Sequence, residues 1–325
     1  MDSNDLIIAD QTIKLGQTKD FNFKISETVL GDPVTIPIKI IRAKEPGPTL
    51  LVMAGIHGDE MNGVAIVREL MINPPKLIKG SLILMPIINI FGFEENSRYL
   101  PDRRDLNRCF PGSNDGPLGS RIAFLLTNEI IKKSSMIIDL HTGAFPRTNY
   151  PHIRADLSNK MVKKLANSFY CELILDTKGE KTTLRNWASK QNVPTICYEA
   201  GETNRFESTA IQSGLNGINN VLLSFKMIIS NFIKSDHTHI IKQSVWVRSG
   251  MGGILEFHVS LGDYVKKGDV IASCLALNSS FKHRMIAPKS GVVLGLVTRP
   301  TIKPGEPLCH IACISKPSSS KIKLQ

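Results

Sequence analysis

The chain of 325 residues is long enough to bury a large core and predicts about two domains. Hydrophobic residues make up 42% and charged residues 21%, ordinary globular values that argue against a disordered, collagen-like or coiled-coil protein. The net charge of +11 is unusual, but the 40 lysines and arginines are spread along the chain and aromatic residues make up only 6%, so we expect no nucleic-acid partner.

The cysteines and the apolar stretches indicate the cellular compartment of the protein. No stretch approaches the roughly 18 uninterrupted apolar residues of a membrane span, and the acidic, polar start lacks the pattern of a signal peptide. The six cysteines are scattered and form no CxxC pair, which excludes a disulfide scaffold and a cysteine-type zinc finger. We therefore expect a cytoplasmic protein that does not bind a membrane.

Alternating strand and helix patterns predict an α/β domain over residues 1–233. Predicted strands cover residues 35–43, 49–54, 81–90, 136–140, 172–175 and 195–199. Predicted helices lie within 55–72, 121–131, 157–169, 183–190 and 209–233. Because several of these strands are continuous apolar runs, we expect a largely parallel sheet covered on both faces.

The pattern changes after the α/β region. Residues 234–243 are polar and predict a linker, and residues 244–314 contain short β-type runs separated by glycine and proline, which predict a small all-β domain. Segments 253–271 and 291–308 echo each other, so this domain is expected to have two similar halves. Residues 315–325, rich in serine and lysine, predict a flexible tail.

Two histidines and a glutamate predict a metal site. His57 and Glu60 follow a buried strand at a spacing of three, which on one helical turn projects both side chains to the same side. His141 ends another predicted strand about 80 residues downstream. Two imidazoles and one carboxylate leave a coordination position open for water, the geometry of a hydrolytic zinc site. Either histidine alone would more simply be a hydrogen-bonded loop residue.

A hydrolase that activates water also needs a general base. Glu199 ends a further apolar strand and is the predicted base, with Glu202 as a less favoured substitute. A glutamate at a strand end is otherwise commonly a salt-bridge partner.

The long segment 97–112 contains four arginines. A loop of this length inside a compact domain is usually functional, and arginine forks suit carboxylates and polarised carbonyls. For Arg103 and Arg104 a structural role beside acidic neighbours is an equal alternative.

Four strings together resemble the succinylglutamate desuccinylase/aspartoacylase family, a branch of the zinc carboxypeptidase-like fold. The strings are GIHGDE at 55–60, SRYLPDRRDLNRCFPG at 97–112, DLHTG at 139–143 and YEAGE at 198–202, and they occur in the family's order. The resemblance covers roughly residues 49–232. It implies a mixed, mostly parallel sheet flanked by helices, and the hydrolysis of a small N-acyl amino acid.

The resemblance also implies roles for individual residues. One Zn²⁺ per chain would be held by His57, Glu60 and His141, with Glu199 as general base and proton shuttle. Asp139 would support a metal ligand.

On the substrate side, the resemblance implies that Asn107 and Arg108 grip the substrate carboxylate and that Arg98 polarises the acyl carbonyl. The aspartoacylase branch has a further arginine shortly before the catalytic glutamate, and Arg185 does not clearly match its spacing. The sequence therefore names neither N-acetylaspartate nor succinylglutamate as the substrate.

The C-terminal β region resembles a biotinyl/lipoyl-like barrel-sandwich domain in its strings GDYVKKGDVI and APKSGVV. True carriers present a modifiable lysine on a hairpin, and Lys282 lies there without the usual neighbours. We expect the domain to narrow the mouth of the zinc site or to help form a homo-oligomer.

Three alternatives to the deacylase remain open at the level of sequence. A zinc carboxypeptidase would use the same site on peptides, and a non-catalytic protein would keep the metal and ligand contacts without turnover. A lipoyl-type carrier would require modification of Lys282.

Overall fold

The computed structural model describes residues 5–231, 238–278 and 281–314. Nineteen strands and six α-helices are present in this part of the chain. The strands of the α/β region are β1 (Leu6–Ile8), β2 (Gln11–Ile13), β3 (Thr18–Glu27), β4 (Pro33–Arg42), β5 (Glu45–Ala54), β6 (Lys79–Met85), β7 (Met136–Gly143), β8 (Arg147–Ala155), β9 (Leu173–Asp176) and β10 (Thr195–Glu202). The helices are α1 (Met61–Ile72), α2 (Ile90–Glu94), α3 (Leu118–Glu129), α4 (Lys160–Phe169), α5 (Leu184–Lys190) and α6 (Ser208–Ser224).

The remaining strands follow the α/β region. They are β11 (His239–Ile241), β12 (Ser244–Arg248), β13 (Gly253–Phe257), β14 (Tyr264–Val265), β15 (Val270–Leu275), β16 (Lys282–Ile286), β17 (Gly291–Val297), β18 (Thr301–Ile302) and β19 (Pro307–Cys313).

One large mixed sheet carries the α/β region. Its order is β12-β19-β17-β8-β10-β7-β5-β6-β4-β3, and β6, β5, β7 and β10 form its parallel centre. The prediction of a mostly parallel sheet is correct only for this centre, because β3 and β4 on one side and β8 and β17 on the other join antiparallel. Of these outer strands, β3, β4 and β8 are partly exposed, so their sequences lack the continuous apolar runs that identify the central strands.

Helices cover both faces of the central strands. Helices α1, α4 and α6 pack on one face, where Ile66, Leu165 and Ile218 are completely buried. Helices α3 and α5 pack on the other, with Ile122 and Leu184 completely buried. All eight residues of β7 are buried, so its carboxyl end is fixed by packing on both sides.

Helix α6 is shorter than predicted. It ends at Ser224, and Lys226 adopts a left-handed conformation with φ +55°. The N–H of Lys226 donates to the carbonyl of Leu223 and that of Met227 to the carbonyl of Leu222, the hydrogen bonds of a Schellman motif. Apolar periodicity continues past this point because Met227 and Ile228 are buried as an irregular segment. The predicted boundary at residue 233 lies outside the described residues.

Part of the segment predicted as a linker, 234–243, forms a strand. His239–Ile241 form β11, which pairs in parallel with β9. This strand extends the main sheet, and the side chain of Ile241 is buried. A three-residue strand in a polar context has too few residues to show a period, which explains why the sequence did not predict it. Residues 234–237, and the predicted tail 315–325, lie outside the described residues.

The C-terminal region contains only strands among its described residues, with its own core around Ile271, Val293, Leu308 and Ile311. The two echoing segments have the same order of a longer strand, a two-residue strand and a longer strand. The short strand of each half pairs with a longer strand of the other half: β14 pairs with β17, and β18 pairs with β13. The repeat predicted from the sequence is therefore present in the pairing pattern.

The C-terminal strands are not separated from the α/β region by a gap. Residues Gly295–Val297 of β17 pair antiparallel with Arg147–Asn149 of β8, so the main sheet runs through both regions. Among the described residues, no helix is both long enough and apolar enough to span a membrane.

Candidate metal centre and active site

His57 and Glu60 lie in the loop that joins β5 to α1. Gly55 begins this loop with φ +62°, and the N–H of Glu60 donates to the carbonyl of His57 at 3.2 Å. The two side chains lie on the same side because of this turn, and not because of the helical turn that the sequence predicts. Helix α1 begins only after Glu60.

Glu60 lies between two imidazoles. Its Oε1 is 2.7 Å from Nδ1 of His57, and its Oε2 is 2.9 Å from Nδ1 of His141 at the end of β7. All three side chains are at least nine-tenths buried, and one donor atom from each lies within 4.8 Å of the others. The three residues predicted as metal ligands are thus brought together by two adjacent parallel strands, β5 and β7.

A carboxylate supports the second ring nitrogen of each histidine. Nε2 of His57 lies 3.1 Å from Oδ1 of Asp105, and Nε2 of His141 lies 2.9 Å from Oδ2 of Asp139. Such a partner fixes the orientation of the ring and leaves its other nitrogen, here Nδ1, free to bind a metal. The sequence named Asp139 for this position, whereas Asp105 was not assigned a role.

The charges around these residues favour a cation at their centre. Burial alone would raise the pKa of Glu60, but His57 and His141 outweigh burial and lower it well below its usual range. Conversely, burial would lower the pKa of both imidazoles, and Glu60, Asp105 and Asp139 outweigh it and raise them. Three carboxylates thus surround the two imidazoles, a charge environment that a divalent cation at the Nδ1 atoms would neutralise.

A second group of possible ligands overlaps the first. Asp139, His141 and Cys197 also place donor atoms within 4.8 Å of one another. Sγ of Cys197 lies 4.0 Å from Oδ2 of Asp139, which already contacts Nε2 of His141. This group lies behind His141 and acts as part of its support.

Arg98 lies beside the candidate metal ligands. Its Nη2 is 2.8 Å from Oδ2 of Asp105, and its Nη1 is 3.5 Å from Oε1 of Glu60. About a quarter of the side chain is exposed, so one face of the guanidinium can meet a small molecule. Burial would lower the pKa of Arg98, and Asp105 and Glu60 outweigh it and keep the group charged.

Glu199 lies on β10, directly opposite His141 on β7. Its Oε2 accepts a hydrogen bond from Nδ2 of Asn149 at 3.0 Å, and its Oε1 is 3.3 Å from Nε of Arg154. Burial would raise the pKa of Glu199, but Arg154 and the imidazoles of His141 and His152 outweigh burial and lower it. The carboxylate is therefore held ionised next to the candidate metal ligands.

Asn107 and Arg108 lie in the same loop as Arg98 but make different contacts. Oδ1 of Asn107 accepts the N–H of Leu184 at 3.0 Å and so anchors the start of α5. Nε of Arg108 lies 2.8 Å from Oε2 of the exposed Glu180. Their predicted role in substrate binding stays a prediction.

Sequence reasoning missed Asn149 and Arg154 because it missed β8 altogether. Pro151 interrupts the strand pattern, and a proline normally argues against an internal strand. The weak signal that remained in the sequence was the apolar Ile153 and Ala155 on either side of Arg154.

The sequence places this chain in a known family. The model of the succinylglutamate desuccinylase/aspartoacylase catalytic domain matches residues 46–225, and the chain belongs to this family. N-alpha-acetyl-L-2,4-diaminobutyric acid deacetylase of Halomonas elongata is 29% identical over 255 residues, which cover 74% of this chain and 73% of that protein.

Solved structures show the same fold. The product-bound ectoine utilization protein EutE of Ruegeria pomeroyi is 22% identical, with a TM-score of 0.82 over 93% of this chain and 98% of that one. A succinylglutamate desuccinylase of Silicibacter sp. is 23% identical, with a TM-score of 0.83 over 97% of this chain and 100% of that one. The structural likeness extends across the α/β region and the C-terminal strands.

Proposed function

We propose that this protein is a zinc-dependent hydrolase that cleaves the amide bond of a small N-acyl amino acid. The observation that carries the proposal is the convergence of His57, Glu60 and His141 on one point, with Glu199 on the adjacent strand. The family membership and the deacetylase from Halomonas elongata support an amide as the bond that is cleaved.

The residues present fit a zinc ion. Nδ1 of His57, Nδ1 of His141 and the carboxylate of Glu60 would hold it, a donor set typical of catalytic zinc. When bound, zinc supplies Lewis acidity and lowers the pKa of a coordinated water toward 7. Asp105 and Asp139 keep both imidazoles oriented for this task.

The chain's own groups perform the proton transfers and hold the substrate in this proposal. Glu199 takes a proton from the attacking water and passes it to the leaving amine, so its carboxylate is ionised at the start of each turnover. Arg98 donates hydrogen bonds to the acyl oxygen as negative charge develops there. Asn107 and Arg108 bind the carboxylate of the amino acid.

Two further expectations accompany this proposal. We propose that residues 244–314 form a barrel-sandwich domain, which the exchange of β14 and β18 between its halves supports. We also propose a cytoplasmic location, which the free state of all six cysteines supports. Homo-oligomer formation stays a prediction.

The test combines metal analysis with a screen for amine release. The purified protein is expected to contain about one zinc per chain and to hydrolyse at least one compound among N-acetyl, N-formyl and N-succinyl amino acids, including N-acetyl-2,4-diaminobutyrate. His57→Ala is expected to lose both metal and turnover, whereas Glu199→Gln is expected to keep the metal and lose turnover.

The possible results separate the alternatives. Cleavage of peptides without cleavage of acyl amino acids would indicate a carboxypeptidase. Bound zinc without any turnover would indicate a binding protein, and a metal-free protein whose properties are unchanged in His57→Ala would refute the proposed site.

A further inference from the structure

The C-terminal strands reach the proposed general base through two hydrogen-bonded strands. Glu199 lies on β10, β10 pairs with β8, and β8 pairs with β17. Across the described residues, the side-chain hydrogen bonds and ion pairs of Glu199 all come from β8, from Asn149 to Oε2 and from Arg154 to Oε1. The position of β8 therefore determines where the carboxylate of Glu199 lies.

Asn149 stands between the base and the C-terminal region. It is buried, and it pairs with Gly201 of β10 on one side and with Gly295 of β17 on the other. A Cβ atom added to Gly295 would lie 2.9 Å from Oδ1 of Asn149, while its next neighbours would be 3.4 Å away or farther. A side chain at position 295 would therefore displace the amide of Asn149, whose Nδ2 donates to Glu199.

Thr298, the residue that follows β17, is hydrogen-bonded next to the candidate active site. The N–H of Thr298 donates to the carbonyl of Pro146 at 2.8 Å, and its hydroxyl contacts the carboxylate of the buried Glu202 at the end of β10. These contacts join the carboxyl end of β17 to the start of β8 and to the carboxyl end of β10, the strand that carries Glu199. They fix the register at which Gly295 meets Asn149.

We propose that Asn149 and Gly295 are positioning residues for the reaction, through which the C-terminal strands set the orientation of the Glu199 carboxylate. This inference rests on the proposed function, since it assigns Glu199 the role of base. It gives the C-terminal region a part in turnover that involves no contact with the substrate and no covalent modification.

The test is a double-mutant cycle with Gly295→Ala and Asn149→Ala. We expect each substitution to lower kcat at least about tenfold with little change in KM, the effect of losing one hydrogen bond to a charged group. The effects are expected not to add, because Gly295→Ala acts only by moving Asn149. Gly252→Ala is the matched control, since the nearest atoms to its added Cβ would be 3.6 Å away in ordinary contact.

A second measurement needs no substrate. Crystal structures of Gly295→Ala and Gly252→Ala are compared, and the first is expected to show the amide of Asn149 and the carboxylate of Glu199 displaced. Metal content is expected to equal that of the wild type in both variants, because the three candidate ligands are untouched.

The inference and the proposed function fail in different ways. If Glu199→Gln loses turnover while Gly295→Ala and Asn149→Ala match the wild type, the inference is overturned and the function stands. Additive losses in the double variant, or an unmoved Glu199 in the Gly295→Ala crystal, also overturn it. If Glu199→Gln keeps full turnover, the proposed base is wrong.

Discussion

Glu199 and His141 are register partners on the adjacent parallel strands β10 and β7. The proposed base and a proposed metal ligand therefore leave the sheet at the same level, next to each other. Just after Glu199 the pairing of β10 is irregular, and Gly201 adopts φ +74°. Glu199 is therefore the last residue of β10 in regular pairing, and Asn149 and Arg154 of the neighbouring β8 contact its two oxygens.

Asp139→Asn is expected to weaken zinc binding about 10- to 100-fold, because a neutral amide no longer supports Nε2 of His141. The measurement is a competition titration against a zinc chelator. Asp102→Asn serves as the control, since Asp102 bonds the backbone N–H of Arg104 in an exposed turn. Unchanged affinity in Asp139→Asn would contradict the proposed support of the ligand.

Arg98→Lys is expected to lower kcat about 10²-fold at unchanged metal content, because lysine cannot contact Asp105 and also present donors to the acyl oxygen. Steady-state kinetics on the substrate identified in the screen measure this effect. Arg104→Lys is the matched control, because Arg104 pairs with Asp102 at 3.6 Å on the surface. Equal loss in both variants would show that the loop, and not the guanidinium of Arg98, is responsible.

Acid is expected to destabilise the fold through His310. Burial and the nearby Arg154, His152 and Arg147 lower the pKa of His310 to about 3. In the unfolded chain His310 binds a proton near pH 6.5, whereas in the folded chain it binds one only near pH 3. The free energy of unfolding is therefore highest above pH 6.5 and decreases as the pH falls from about 6.5 toward 3. His152, with a pKa lowered to about 4 by burial and Arg154, acts in the same direction.

The measurement is urea unfolding of wild type and His310→Phe at pH 7.5 and pH 5. Phenylalanine keeps the stack that His310 makes on Trp246, with ring centroids 4.2 Å apart, and does not titrate. Between these pH values, the free energy of unfolding is expected to decrease by about 2 kcal/mol less in the variant than in the wild type. An identical decrease in both proteins would show that His310 is not responsible for the acid sensitivity. His258→Gln is the control within the same region.

Gly58→Ala is expected to destabilise the protein by about 1–3 kcal/mol and to reduce zinc binding, because its Cβ would lie 1.9 Å from the backbone of Gly92. The N–H of Gly58 also donates to the carbonyl of Ser97, next to Arg98. Thermal unfolding and metal analysis measure the two effects. Gly250→Ala, whose nearest neighbour would be 3.7 Å away, is expected to behave like the wild type.

The sequence predicted the centre of the molecule better than its edges. His57 follows an apolar strand that is buried on both faces, and His141 and Glu199 lie near the ends of two more, and such strands can be identified from composition alone. The strands β1 to β3 and β8 are short, partly exposed or interrupted by proline, so their pattern is weak.

Contacts between distant segments could not be predicted in this way. Asp105 meets His57 only because the long loop folds back over the end of β5, and no spacing rule encodes that return. The pairing of Gly295 with Asn149 likewise depends on how two regions with separate cores join. A single sequence contains no signal for such a join.

The joining of β17 to β8 also determines what a shortened chain would do. Without residues 244–314, the backbone N–H and C=O groups of Arg147–Asn149 would lose their partners and form an open sheet edge. An open edge of this kind can pair with a strand of another molecule, which can start aggregation. The C-terminal strands thus cover an edge of the main sheet that the α/β region alone would leave open.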